Sequence, residues 1–181
     1  MANKLIGSVG LAPGTDTGFD LDTKGQIHGY TTTQYALDSE TDSDILVCDN
    51  GESSGLKWTQ NTTSFVLACS DEETALTTGT KLTFRMPFAY TVTAVRASLT
   101  TAGTGANLVT VDINESGTTI LSTKITIDAT ETTSTTASTP PVIDDPDLAD
   151  DAQMTIDIDQ IDSGGVSAGL KVYIIGYRVA H

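Results

Sequence analysis

Positive charge is scarce in this sequence. Nine lysines and arginines stand against 24 aspartates and glutamates, a formal net charge of -15 at pH 7. That balance excludes a basic nucleic-acid-binding face as the main business of the chain. It also argues against an anionic membrane surface as partner. Long apolar runs are missing too: none approaches the ~18 residues of a spanning helix, so no membrane insertion is expected. The start, Met1 to Gly14, has one lysine and a short apolar stretch broken by Gly7, Ser8 and Gly10. It makes a poor secretory signal, which points to synthesis in a cytoplasm. The two cysteines, Cys48 and Cys69, form no metal or redox motif and read as free thiols. The two histidines are His28 and His181. A Ser-His-Asp or Cys-His arrangement would need His28, which sits in a Gly-rich stretch rather than on a rigid element. No Walker pattern occurs and no G-x-G-x-x-G opens a helix. The expectation is therefore a protein that is not an enzyme, with no catalytic residue, no cofactor-binding residue and no metal ligand.

What the sequence has in abundance is threonine. There are 32 Thr and 14 Ser, about a quarter of the 181 residues. Threonine is β-branched and suits the wet face of a pleated sheet, so an all-β protein is expected. The chain reads as two parts. Residues 1–63 are rich in Gly and Asp and show little period-2 alternation. They hold short extended pieces such as Ile45-Leu46-Val47 and one large anchor, Trp58. Such a stretch cannot close a core alone and reads as an extended N-terminal attachment arm. Residues 64–181 carry one strand pattern after another, with turn residues between. Ser64–Cys69, Lys81–Met86, Thr91–Leu99, Leu108–Ile113, Thr119–Asp128, Met154–Asp159 and Leu170–Val179 are the candidates. A hairpin turn is expected at Asn114–Gly117, an edge strand or loop at Thr132–Thr139, and a helical turn at Asp144–Asp151. Seven or eight alternating strands in about 115 residues point to an antiparallel β-sandwich, jelly-roll-like in its strand number, with a closed barrel as the alternative that the same patterning allows.

With 24 acids in the chain, neighbouring carboxylates arise by composition alone. Asp157 and Asp159 share one strand face, and with Asp162 they are oxygen ligands of the kind Ca²⁺ takes. A solvated sheet face accounts for them as well. Asp38–Asp44 resembles a calcium loop, but Ser43 stands where glycine is needed and Asp49 where a bidentate Glu is needed. Asp144, Asp145, Asp147, Asp150 and Asp151 read as an acidic surface loop. Asn61-Thr62-Thr63 and Asn114-Glu115-Ser116 match the glycosylation sequon, which carries no meaning without a secretory signal. Phe84, Phe88 and Tyr90 cluster around Pro87 as a core group. Tyr173 and Tyr177 alternate on the last strand opposite its core face and mark a candidate subunit interface.

Two stretches carry a resemblance. Gly25-Gln26-Ile27-His28-Gly29-Tyr30, followed by Ile45-Leu46-Val47-Cys48-Asp49-Asn50-Gly51-Glu52-Ser53-Ser54-Gly55-Leu56-Lys57-Trp58, resembles the KGDLL…GQVLTADSGESTGLKW segment of phage fibre and appendage proteins. This chain departs from that pattern at Tyr30–Thr41. Phe84 to Val92, Thr119 to Ser122 and the close around Leu170-Lys171-Val172 are similar to C-terminal β-sandwich domains of phage fibre and surface proteins. The resemblance implies a bacteriophage virion surface protein: a capsid decoration (cement) or head-fibre protein, or alternatively a short tail-fibre, receptor-binding protein that recognises host surface glycans. It implies a homotrimer, with the major capsid protein or another virion protein held by the N-terminal arm. It supplies no catalytic residue. The absence of shaft repeats favours the head. The loops Thr101–Gly105 and Ser163–Gly169 would be the first glycan contacts on the alternative.

Overall fold

The computed structural model describes residues 27–30, 34–37, 44–51 and 56–179. The chain divides into two compact units, the first reaching Thr59 and the second beginning its main run at Gln60. In the first, β1 (Ile27–Tyr30) pairs antiparallel with β2 (Gln34–Leu37); β3 (Asp44–Cys48), whose first two residues are counted with the second unit, pairs with β4 (Leu56–Gln60). Ile45-Leu46-Val47 lies in β3, as its apolar run suggests. The stretch read as an arm therefore contains paired strands among its described residues. The strands at 27–37 escape a period-2 reading because Gly29 interrupts one of them.

The second unit is an all-β sandwich. Its strands in chain order are β5 (Thr62–Ala68), β6 (Gly79–Arg85), β7 (Tyr90–Ser98), β8 (Val109–Glu115), β9 (Thr118–Thr119), β10 (Leu121–Thr123), β11 (Ile125–Ile127), β12 (Val142–Ile143), β13 (Asp147–Leu148), β14 (Gln153–Gln160) and β15 (Lys171–Arg178). One sheet runs β5-β15-β7-β13 and the other β6-β14-β8-β11, with β9 added beside β8. Count those eight strands one to eight along the chain. The sheets are then 1-8-3-6 and 2-7-4-5, two interleaved Greek keys, which is jelly-roll order. The pairings among them are antiparallel.

The alternating residues of the sequence build the core. Val109, Val111 and Ile113 of β8, Met154, Ile156 and Ile158 of β14, and Val172 and Ile174 of β15 are all buried between the sheets. Tyr90 is wholly buried. It donates from its hydroxyl to the Thr63 carbonyl at 2.8 Å and lies 5.1 Å, edge-on, from Phe65. In β7 the inward set changes parity, from Tyr90 and Val92 to Val95 and Ala97. A register shift opposite Ile175 and Gly176 leaves Thr93 as the extra residue and produces that change.

Two local expectations are corrected, and the stretch expected as an edge strand or loop is a loop. The stretch 144–151 makes no helical turn. Leu148 is buried and pairs with Tyr90, Asp147 accepts from the Thr91 hydroxyl at 2.8 Å, and Val92 N–H donates to the Pro146 carbonyl. Strand pairing satisfies more backbone there than one turn of helix can. The single return strand expected over 119–128 is broken into β9, β10 and β11, because Ile120 turns its carbonyl to Asp144 and Asp145 and β10 pairs with β12. Residues 132–139 form a loop with one 3₁₀ turn at Ser134–Thr136. This loop lies along β7: Leu99 N–H donates to the Thr132 carbonyl and Ala97 N–H to the buried Ser134 hydroxyl at 2.8 Å. It covers a sheet edge that would otherwise be open. The hairpin turn falls where its residues place it, with Ser116 and Gly117 both at positive φ between Glu115 and Thr118.

Candidate functional site

The outer faces of the two sheets differ in chemistry. On the β6-β14-β8-β11 sheet, the polar positions of β8 and β14 come side by side. Asp157 accepts from the Asn114 side-chain amide at 2.6 Å and from the Thr155 hydroxyl at 2.8 Å. Burial works against its charge. The bonds from Thr80, Thr155 and Asn114, with the Lys124 ammonium nearby, outweigh that and hold the carboxyl below its ordinary range. Asp112, 5% exposed, accepts from the Thr119 hydroxyl at 2.5 Å and from Ile113 N–H, and pairs with Lys124 at 2.9 Å. Lys124 also bonds Asp159, the extra residue of a register shift in β14, which turns it toward the lysine. The bonds to Asp159 and Asp112 keep the Lys124 ammonium charged to higher pH than usual.

Asp162 stands apart from these two carboxylates. It is 2% exposed, at the end of the sandwich where Thr101–Gly105 and Ser163–Gly169 meet. One oxygen accepts from the Ser167 hydroxyl at 2.5 Å and from Ser167 N–H at 3.2 Å, and the other from Thr104 N–H at 3.3 Å. Burial raises its pKa, but the bonds from Ser167 and Thr104 outweigh that and hold the carboxyl below its usual range. The loops approach so closely that a Cβ on Gly105 would come within 2.1 Å of Ser163 Oγ. Both loops named as candidate glycan contacts are thus neighbours, joined through one buried carboxylate. The Ca²⁺ grouping of Asp157, Asp159 and Asp162 does not form. Among the described residues no three His, Cys, Asp or Glu side chains are arranged to hold a metal ion. Each of the three acids already accepts from protein donors.

The outer face of the other sheet is different. Tyr173, Ile175 and Tyr177 of β15 are half-buried there, opposite Val66, Ser64 and Thr62 of β5 and Arg96, Ala94 and Thr91 of β7. A shallow groove of about 220 Å³ lies between this face and the 3₁₀ loop, lined by Arg96, Ser98, Thr133, Thr135, Tyr173 and Ile175. The Tyr173 and Ser98 hydroxyls are 3.2 Å apart.

The remaining candidates disperse. His28 lies in β1 opposite Ala36, while His181 falls outside the described residues. Cys48 is exposed and Cys69 is buried, where burial pushes its thiol up to about 11. Of the calcium-like loop only Asp44 is described; Asp49 accepts from Gly51 N–H at 2.8 Å instead. Trp58 is half-buried on β4. Phe88 and Tyr90 do cluster, with Phe65 rather than Phe84 as the third ring, and the Arg178 guanidinium stacks on Phe88 at 4.9 Å. The alternation of β8 puts Asp112 on its polar face, but nothing in the sequence marks its partner Lys124, which the return from the Ser116-Gly117 turn brings alongside. Nor is Arg96 singled out. A cation between Val95 and Ala97 carries no motif. No protein-family profile and no curated protein matches this sequence.

Proposed function

We propose that this chain is a structural protein of a phage virion, displayed on the capsid surface as a decoration or head-fibre protein and anchored through its N-terminal arm. The carrying observation is the combination, in one short chain, of a jelly-roll sandwich with an N-terminal stretch holding the GESSGLKW segment. β3, just before that segment, pairs with β4, which begins within it at Leu56. The arm supplies attachment and the sandwich supplies the displayed surface. The formal charge of -15 keeps crowded copies apart and soluble. Copies associate with themselves as a homotrimer on this reading, and no catalytic step is assigned.

A second reading has its own observation. The convergence of Thr101–Gly105 and Ser163–Gly169 around Asp162 makes one continuous loop surface at an end of the sandwich. Such a surface suits contact with host glycans by a short tail fibre. Immunogold imaging of intact particles, with copy number measured against the major capsid protein, separates the two. Label spread over the head at high copy number is expected. Label confined to the tail at low copy number would transfer the assignment to the fibre, and glycan-array binding by the full chain would then be the measurement of interest. Particles that carry no label would end both.

A further inference from the structure

Carboxylates are unevenly placed on this domain. The outer face of the β6-β14-β8-β11 sheet bears Asp112, Asp157 and Asp159. The centre of the opposite outer face bears none. Its rows across β5, β15 and β7 read Val66-Tyr173-Arg96 and Ser64-Ile175-Ala94. Asp147 stands at the β13 margin, already held by the Thr91 hydroxyl. Glu72 reaches the face only at its end, in a 2.5 Å pair with Lys171. A chain with 24 acids and nine bases thus keeps one sheet face almost clear of acids. Val66 on that face is 58% exposed.

Arg96 makes the face more specific. It makes no ion pair and no side-chain hydrogen bond among the described residues, although the chain has acids to spare. It lines the groove beside Tyr173 and Ile175. Tyr and Arg over an apolar centre, with Asp and Glu excluded, is the composition of the buried part of a protein interface.

We infer that this face, centred on Val66, Arg96, Tyr173 and Ile175, docks a second copy of the same chain, with Arg96 meeting a carboxylate of that copy. The inference rests on the reading of the chain as a self-assembling surface protein and locates the contact. Charge selects the occupant. Two copies at -15 repel through most of their surfaces. Close approach is least opposed where acids are missing, and Arg96 converts the opposition into attraction, because any copy of this chain presents carboxylates. The 3₁₀ loop beside β7 forms one wall of the groove, so the docked side chain is held on two sides.

The test is sedimentation equilibrium of the full chain from micromolar to submillimolar concentration, alone and with Val66→Glu and Arg96→Glu. Both side chains are exposed, so both variants should keep the native circular dichroism spectrum and melt. The wild type is expected to self-associate, and each variant to weaken association by about 30-fold or more. A wild type that stays monomeric overturns the inference. So does an oligomer indifferent to both changes, which would put the contact elsewhere. A monomer whose face is nonetheless protected from hydrogen exchange would assign the covering to residues 1–60 of the same chain, again overturning it. Particle imaging is independent of these outcomes. A monomer that still decorates particles would leave the virion reading standing, whereas an oligomer dispersed by both variants but absent from particles would leave this contact standing alone.

Discussion

Asp162 shows what a single buried charge does in this molecule. Ser163 to Gly169 has no ladder of its own to satisfy its backbone, and Asp162 takes the Ser167 and Thr104 amides instead. A buried carboxylate is tolerated when its lone pairs are filled, and here three donors fill them. Asp162→Ala would strand the Ser167 hydroxyl and two N–H groups in a place water reaches poorly. The expected loss is about 2–3 kcal/mol of unfolding free energy, read as a lower urea midpoint at unchanged slope. The loss should be accompanied by faster hydrogen exchange at 101–105 and 163–169, while β8 and β14 stay protected. A uniform rise in exchange over the whole sandwich would show that Asp162 is not a local clasp. No spacing in the sequence marks this role. Asp162 follows Asp157 and Asp159 closely enough to look like their companion, yet the strand ends at Gln160 and Asp162 belongs to the loops.

At the scale of elements, β15 is a central strand of its sheet, paired with both β5 and β7. Its Gly176 sits at the register shift. A Cβ there would lie 2.0 Å from the Thr91 carbonyl oxygen and 2.9 Å from a ring carbon of Tyr90. Backbone on one side and a fully buried ring on the other leave no room to give. Gly176→Ala should therefore destabilise by about 1–3 kcal/mol or more through overpacking, whereas Ala94→Gly on the open face beside it should cost less than 1 kcal/mol. Thermal melts of the pair check this, and equal losses would mean that β15 relaxes around the added methyl. Strands β8, β14 and β15 were legible because each has one buried and one wet face, and period-2 alternation is the direct consequence. The segment 119–128 was not, since its alternation continues through Ile120 and Lys124 although the chain leaves one sheet and re-enters it. Leu148 was likewise hidden, a single buried side chain among five aspartates. The candidate surfaces were half legible. Tyr173 and Tyr177 announced an outward aromatic row by their alternation, while Arg96 and the 3₁₀ wall become neighbours only through tertiary packing.

For the whole molecule, the excess of acid makes pH the informative variable. Asp157 and Asp162 both have folded-state pKa values below the ordinary 3.8. Their stabilisation is complete above that value and is lost as pH falls through their folded values, where the folded chain must also take up protons. Protonating the other surface acids relieves self-repulsion and works in the opposite direction. The paired acids are held by specific bonds and the others by diffuse repulsion, so the net acid limb should fall. On the alkaline side Cys69 is raised from 9.0 to about 11. Its buried thiol favours folding fully below pH 9, and that contribution is lost as pH rises toward 11. Tyr90 and Lys124, both raised, extend the same loss beyond pH 10. Urea midpoints should therefore be level between about pH 5 and 9 and fall on both sides. Asp157→Asn with Asp162→Asn should lower the plateau and flatten the acid limb, because two of the groups that link folding to protons there are gone. Cys69→Ala should flatten the alkaline limb between pH 9 and 11 and leave the acid limb unchanged. An acid limb of unchanged steepness in the double variant would assign it to other hydrogen-bonded carboxylates, Asp71 and Glu72, whose pKa values are also lowered by their bonds.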